Sequence, residues 1–592
     1  MTYDPAVVKD LMGVGFSPFQ ATKLGEQLYA GGAAFTGDSG SGGAAGLVPA
    51  PAAGDAAASK FLAASGIWAA TPGALFINVQ AYGATGNGTT NDTTAVNAAI
   101  TAAGSGGTDF FPNGTYKLSG ITLSASVKIV GASQAGTILK LGSASTHFIN
   151  LAASGIELES LTVDANSLAD DAIYGTAGYS NIAIRRVTAK NAKCGVHPHD
   201  ISNLIIDGCS IVLNTSFQIF YEYATAVKNV TITNNYIDPQ GASTGYSIYV
   251  ALWVSGSSAP GSGNLKNVLI EGNIVQYQLQ NAVESDGIVV SSISLLSNVV
   301  VNGNNVVMTA GTAGSGFAIE VEDTANAVVT NNTIAINDNA SNQVGIYVGK
   351  HSSGIAASGV VSGNTIISTS TAGGTGIQAD SYPWAITGNY IEGCGVCIVC
   401  NDNGQSVIGN IIKLSLAASV GLKYHVSGGS GATISHNTFF AQALNNSIGI
   451  ITDGANTQNL LCDGNILANL SIGYWFQGAT YSGDAILNNK FSNVTEHYHT
   501  LPASGVLILE TTAAGMLNIG ATGNGGVALG YTTYKPLTYA TLPSSPAFGM
   551  RACITDSNTA DTSLTYGMTV TATVSGGASA YIKYIGGAWV IG

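Results

Sequence analysis

Glu320, Glu322, Asp323, Lys350, His351 and Asp380 crowd into one stretch of a chain in which only 9% of residues are charged. An average soluble domain carries roughly 25%. Two carboxyl groups facing each other across room for one water can split a glycosidic bond. One protonates the leaving oxygen while the other activates the water, and inverting glycosidases hold the pair about 6.5–9.5 Å apart. Glu320 and Asp380 are the expected pair, with Glu322 as a third catalytic carboxylate. Asp323, Tyr347, His351, Gln378, Trp384 and His425 are the expected substrate contacts. Aromatic rings among them suit the apolar faces of sugars.

Such residues need elements that place them side by side. From about residue 75 to 500 the chain repeats a short apolar strand, a turn asparagine and a second strand, as in Asn229-Val-Thr-Ile-Thr-Asn-Asn-Tyr-Ile237 and Asn267-Val-Leu-Ile-Glu-Gly-Asn-Ile-Val275. The turn asparagines are Asn235, Asn273, Asn304, Asn332, Asn364, Asn389, Asn410, Asn437, Asn465 and Asn489, at steps of 38, 31, 28, 32, 25, 21, 27, 28 and 24. So irregular a period suits fixed strands with variable loops, and excludes a propeller or leucine-rich repeat. Coils stacked about 4.8 Å apart would bond backbone to backbone and stack each inward side chain on its equivalent. The expected fold is therefore all-β, a right-handed single-stranded parallel β-helix of ten or more coils. Asparagine at each corner is expected to take the left-handed conformation and to pass a side-chain hydrogen bond to the next coil.

Aligning the strands on their Gly-apolar starts (Gly287, Gly316, Gly345, Gly376, Gly395, Gly421, Gly449 and Gly473) predicts two outward columns. One runs Ser291, Glu320, Gly349, Asp380, Val399, His425, Asp453, Gln477. The other runs Val289, Ala318, Tyr347, Gln378, Cys397, Lys423, Ile451, Trp475. Glu320 and Asp380 then lie two coils apart, roughly 9.6 Å, with Gly349 between them.

Weaker candidates surround this set. Glu222, and Glu284 with Asp286, form an alternative carboxylate pair. His197 and His199 in Gly-Val-His-Pro-His-Asp200 have the spacing of metal ligands but no further ligand cluster, so a polar loop is the expectation and no metal or cofactor is predicted. Asp170-Asp171 is an adjacent acidic pair in an early loop. Cys394, Cys397 and Cys400 are read as packing residues on alternating faces. Arg185 and Arg186 are adjacent among few arginines, so a β-eliminating lyase, which needs a cation near a uronate, is poorly supplied. A non-catalytic adhesin is the third class.

The net charge of −14 argues against nucleic acid. No apolar run reaches membrane-spanning length, and Met1-Thr2-Tyr3-Asp4 opens no signal-like segment, so neither insertion nor cleaved secretion is expected. Seven cysteines, an odd number, suggest assembly in a reducing cytoplasm. Residues 1–35 have a helical look and 36–74 form a Gly/Ala/Pro-rich neck. Residues 75–500 carry the coils, and 501–592 form a small C-terminal β region.

Two resemblances extend this reading. Phe76-Ile-Asn-Val-Gln-Ala-Tyr-Gly-Ala-Thr-Gly-Asn-Gly-Thr-Thr-Asn-Asp-Thr93, followed by Asp109-Phe-Phe-Pro-Asn-Gly-Thr-Tyr116, resembles the opening of pectate-lyase-like β-helices, in which a short helix caps the first coil. Asp92 is placed as its N-cap. The neck from Gly37 to Trp68 and the segments Ala552–Ser557 and Ala580–Val590 are similar to the ends of bacteriophage tail proteins. The resemblance implies a homotrimeric tailspike, fixed to the phage baseplate or tail by its N-terminus. It would be made in the host cytoplasm and act at the bacterial surface, where it binds and commonly depolymerises a capsule, exopolysaccharide or O-antigen. The C-terminal region would serve trimerisation or carbohydrate binding.

Overall fold

A computed structural model describes residues 76–511 apart from short loops, and isolated strand segments toward both ends, among them 517–521, 551–557 and 578–591. The expected N-terminal helices and most of the neck lie outside the described residues, as does His351.

Each coil contributes one strand to each of three faces. In one coil these are Ala169–Gly175 on the first face, Ser180–Arg185 on the second and Thr188–Lys190 on the third, before Cys194–Pro198 returns to the first. First-face strands pair in parallel with those one coil away, as Ile173 with Val196 and Val196 with Ile219. The same holds on the second face, where Ile184 pairs with Ile206 and Ile206 with Ile232. The result is the right-handed parallel β-helix expected from the repeat. It ends where Val506–Thr511 turns back antiparallel against Leu517–Ala521. A separate antiparallel sheet joins Arg551–Ser557, Ala578–Ile585 and Ala588–Ile591.

The core is a stack of small and β-branched side chains, such as Ile184, Ile206, Ile232, Ile270 and Val301, all fully buried. Stacking like on like buries apolar area without voids, at about 25 cal/mol per Å². The helix Thr93–Ala103 closes the first coil through Val96, Ala99 and Ala103. Asp92 stands at its N-cap position but does not cap it. Its carboxylate instead accepts from the backbone of Thr85 (2.8 Å) and Gly86 (3.1 Å) and from the Thr85 hydroxyl (2.9 Å), which ties down the preceding loop.

The corner between the second and third faces holds the ten asparagines in one ladder. Each Nδ2 donates to the Oδ1 of the next, from Asn235 to Asn273 at 2.9 Å through to Asn465 to Asn489 at 3.0 Å. The left-handed residue is not the ladder asparagine but the one before it: Asn234, Gly272, Gly303, Asn331, Gly363, Gly388, Gly409, His436, Gly464 and Asn488. The turn thus divides two tasks between neighbours, backbone reversal and hydrogen-bond relay. A second, exposed ladder joins Asn181, Asn203, Asn229, Asn267 and Asn298, which are themselves left-handed.

Cys394, Cys397 and Cys400 are all buried and free, and all join the core rather than splitting between faces. Near the start of the coils, Asp109 is fully buried with neither carboxyl oxygen hydrogen-bonded, and burial pushes its carboxyl up to about 7. The folded chain therefore holds a proton there that the unfolded chain has released. Stability should fall as pH rises from about 4 to 7, by up to roughly 1.4 kcal/mol per unit, and flatten above. Denaturant unfolding of Asp109→Asn should lack that decline; an unchanged pH profile would remove Asp109 as its source.

Candidate functional site

The outer side of the first face carries the chemistry, but in a register different from the one the glycines suggest. Ile319 pairs with Ile288 on one side and Ile346 on the other, so Ala318, not Gly316, is the equivalent of Gly287 and Gly345. Likewise Ile377 pairs with Ile398, which makes Cys397, not Gly395, the equivalent of Gly376. The position needs a small residue because it faces the core at a bend. A Cβ on Gly287 would meet Tyr277 and Val306, and one on Gly376 would meet Ile391. Alanine and cysteine fill that slot as glycine does.

The two observed rows follow from this. Val289, Glu320, Tyr347, Gln378, Val399, Lys423, Ile451 and Trp475 form one. Glu322, Gly349, Asp380, Asn401, His425 and Asp453 form the other. The carboxylates two coils apart across a glycine are therefore Glu322 and Asp380. Glu320 stands beside Tyr347 instead, which corrects the expected pair.

Asp380 is held from three sides. Its Oδ2 accepts from Gln378 Nε2 at 2.9 Å, its Oδ1 from Asn401 Nδ2 at 2.6 Å, and the Tyr347 hydroxyl donates to it. Burial, then the charges of Asp380, Glu322 and Glu320, push the Tyr347 phenol well above its ordinary value and keep it a neutral donor. A Cβ on Gly349 would stand 2.8 Å from the Tyr347 hydroxyl, so glycine leaves room for that phenol between the two carboxylates. Glu322 is the more enclosed of the two, at 6% exposure.

Tyr347 and Gln378, two of the expected substrate contacts, thus lie beside Asp380 on this face. His425 is on the same face beyond Asn401, where Asp453 binds it at 2.7 Å and also takes Lys423 at 3.1 Å. Asp323 is fully buried in left-handed conformation at the strand end, too enclosed to touch a substrate. Trp384 is 1% exposed on the second face and packs in the core, so it is not a sugar platform. Asp286 accepts from the backbone of Phe317 at 2.8 Å, and Arg185 and Arg186 pair with Glu157 and Glu159 on the second face.

A second cluster, where the sequence suggests only a polar loop, lies on earlier coils of the same face. Asp171 accepts from His147 Nδ1 at 2.7 Å and faces His197 Nδ1 at 3.0 Å, while His197 Nε2 lies 3.5 Å from Glu222. Burial disfavours the His197 imidazolium, but hydrogen bonds and charge from Asp171 and Glu222 outweigh it and raise the ring to about 9. Aromatic rings continue from here along the face: His147 on Tyr174 (3.9 Å), His197 on Phe220 (4.8 Å) and Phe220 on Trp253 (5.1 Å). One signal points to this cluster: His147, Asp171 and His197 are spaced by 24 and 26 residues, one coil apart each.

Residues 76–272 match the family described as Rhamnogalacturonase A/epimerase, pectate lyase-like. Among curated proteins, Mannuronan C5-epimerase AlgE2 of Azotobacter vinelandii is 42% identical over 74 residues, 11% of this chain and 7% of that one. Alginate lyase 7 of the same organism is 42% identical over 74 residues, 11% of this chain and 9% of its own. The match thus spans under a tenth of either relative. Among solved structures, tailspike protein 3 of Bacteriophage CBA120 overlaps with a TM-score of 0.36 at 13% identity, over 87% of this chain and 68% of that one. The catalytic unit of a GH87 α-1,3-glucanase from Streptomyces thermodiastaticus overlaps with a TM-score of 0.34 at 14% identity, over 73% and 70%. The fold is defined by the strand pairing above, not by these partial overlaps.

Proposed function

We propose that the chain is a tailspike-type depolymerase that lays a bacterial surface polysaccharide along the outer first face and hydrolyses it between Glu322 and Asp380. The carrying observation is the row Glu322, Gly349, Asp380, two carboxylates on strands roughly 9.6 Å apart with the Tyr347 hydroxyl over the glycine between them. Asp380, oriented by Gln378, Asn401 and Tyr347, takes the proton of a water that attacks the anomeric carbon. Glu322 gives a proton to the departing glycosidic oxygen, as in an inverting hydrolysis. The strip from Tyr174 to Trp253 offers stacking surfaces for sugar rings leading toward the site. The tail attachment and homotrimer implied by the two chain ends belong to this same reading.

A second reading, β-elimination or C5 epimerisation of a uronate polymer, is favoured by the names of the curated relatives. Incubation with host surface polysaccharide and mass spectrometry of the products separates the alternatives. Hydrolysis is expected to yield saturated oligosaccharides with new reducing ends. Unsaturated ends absorbing in the ultraviolet would install the lyase, unshortened polymer with uronates inverted at C5 by NMR would install the epimerase, and bound but unaltered polymer would leave an adhesin.

A further inference from the structure

Asp171, Cys194 and His197 bring a carboxylate oxygen, a thiol sulfur and an imidazole nitrogen within 4.8 Å of one another on two adjacent coils. Oxygen, sulfur and nitrogen donors in one cluster are the donor set of a borderline-soft divalent cation such as Zn²⁺. The donors converge because of the bend in the first face. Gly195 is turned toward the core, where a Cβ would meet Ile211 and Asn214, so Cys194 and His197 are both left on the outer side of one strand.

The surroundings are those of a metal centre. A ligating histidine ordinarily gives its other ring nitrogen to a carboxylate, and ligating carboxylates are themselves hydrogen-bonded. Here Glu222 stands 3.5 Å from His197 Nε2, and His147 Nδ1 bonds Asp171 at 2.7 Å. Both supports come from neighbouring coils, one on each side. Three protein donors leave a fourth tetrahedral position open, the arrangement of reactive rather than purely structural zinc. A cavity of about 650 Å³ lies along the same coils, lined by Ser145, Leu168, Asp170, Ala192, Lys193 and Thr215. Asp170 and Lys193, which line it, immediately precede Asp171 and Cys194 in the chain.

We propose that Asp171, Cys194 and His197 form a binding site for one Zn²⁺-class cation per chain, with Glu222 and His147 as positioning residues and the open coordination position directed to a small oxygen ligand such as water or a sugar hydroxyl. Closing on the ion needs donor atoms about 3–4 Å apart; Asp171 and His197 already stand 3.0 Å apart and all three donors lie within 4.8 Å, so side-chain rotation supplies the rest. The site lies four coils, roughly 19 Å, from the strand of Glu322, so it stands or falls separately from the hydrolytic row.

The test uses the full chain, stripped with a chelator and reloaded with Zn²⁺ or Co²⁺. The expected result is one equivalent of zinc retained through dialysis. The Co²⁺ form should show the sulfur-to-metal charge-transfer absorption of thiolate ligation and the intense visible bands of tetrahedral geometry. Cys194→Ser should lose the charge-transfer band, and Asp171→Asn should lose retention. Glu222→Gln, which faces the outer nitrogen of His197 and leaves every first ligand in place, should weaken binding about 10- to 100-fold. His425→Gln, on the same face but outside the cluster, should load like the parent. Failure of the parent chain to retain metal overturns the site and leaves an imidazolium held between two carboxylates. Persistence of the thiolate band in Cys194→Ser, or equal affinity in Glu222→Gln, overturns it as well.

Discussion

Glu322→Gln and Asp380→Asn are each expected to lower the rate of polysaccharide cleavage by roughly 10²- to 10⁴-fold, the usual worth of a positioned proton donor or acceptor. Both substitutions keep size and hydrogen-bonding shape, so binding of the intact polymer should survive. Glu320→Gln is the informative companion. In the register of the folded chain it neighbours Tyr347, two residues along the strand from the Glu322, Gly349, Asp380 row, and its loss should cost less than tenfold. Reducing-end release on the host polysaccharide reads all three. Activity within tenfold of the parent in both Glu322→Gln and Asp380→Asn would end the assignment, while a collapse in Glu320→Gln alone would restore the pairing that the glycine alignment suggests.

The second large effect concerns the scaffold. Asn389 is fully buried, and its Oδ1 accepts from both the backbone N–H and the side-chain amide of Asn364, each at 2.9 Å. Its Nδ2 donates to the Val361 carbonyl and to Asn410 Oδ1, again at 2.9 Å. Asn389→Ala removes all four bonds at once. It strands a backbone N–H and a backbone carbonyl where no water reaches, at about 1–3 kcal/mol each. The expected loss is about 3–5 kcal/mol, read by denaturant unfolding or by faster hydrogen exchange at the Asn364 amide. A loss below about 1 kcal/mol would mean that the ladder orders the corner without stabilising it. Asn389→Asp should be at least as harmful, because a carboxylate cannot donate to Val361 or Asn410 and would carry charge into a row of acceptors.

The asparagine ladder is legible in the amino-acid sequence because its cause is local. Each coil must turn a tight corner and satisfy the same buried backbone groups, so the same residue returns at every turn. The site is legible in its membership but not in its pairing. Asp380, Glu322, Tyr347 and Gln378 do share one face, while Trp384, an aromatic in a polar stretch, belongs to the core. Nothing in Ser-Tyr-Pro-Trp-Ala-Ile386 distinguishes an inward from an outward tryptophan until the next coil covers it. His197 has only Cys194 beside it on its own strand, because its partners Asp171 and Glu222 belong to other coils.

Composition and repeat thus determined by themselves that this chain is a parallel β-helix, since stacking demands small apolar strands, reiterated corners and few charges. Tertiary structure alone decided which carboxylates face each other. Side chains alternate with a period of two, so sliding a strand by two residues leaves every inward and outward assignment intact and no hydropathy pattern registers the change. Ala318 and Cys397 stand where the alignment expected glycine, and that two-residue difference moves Asp380 from opposite Glu320 to opposite Glu322.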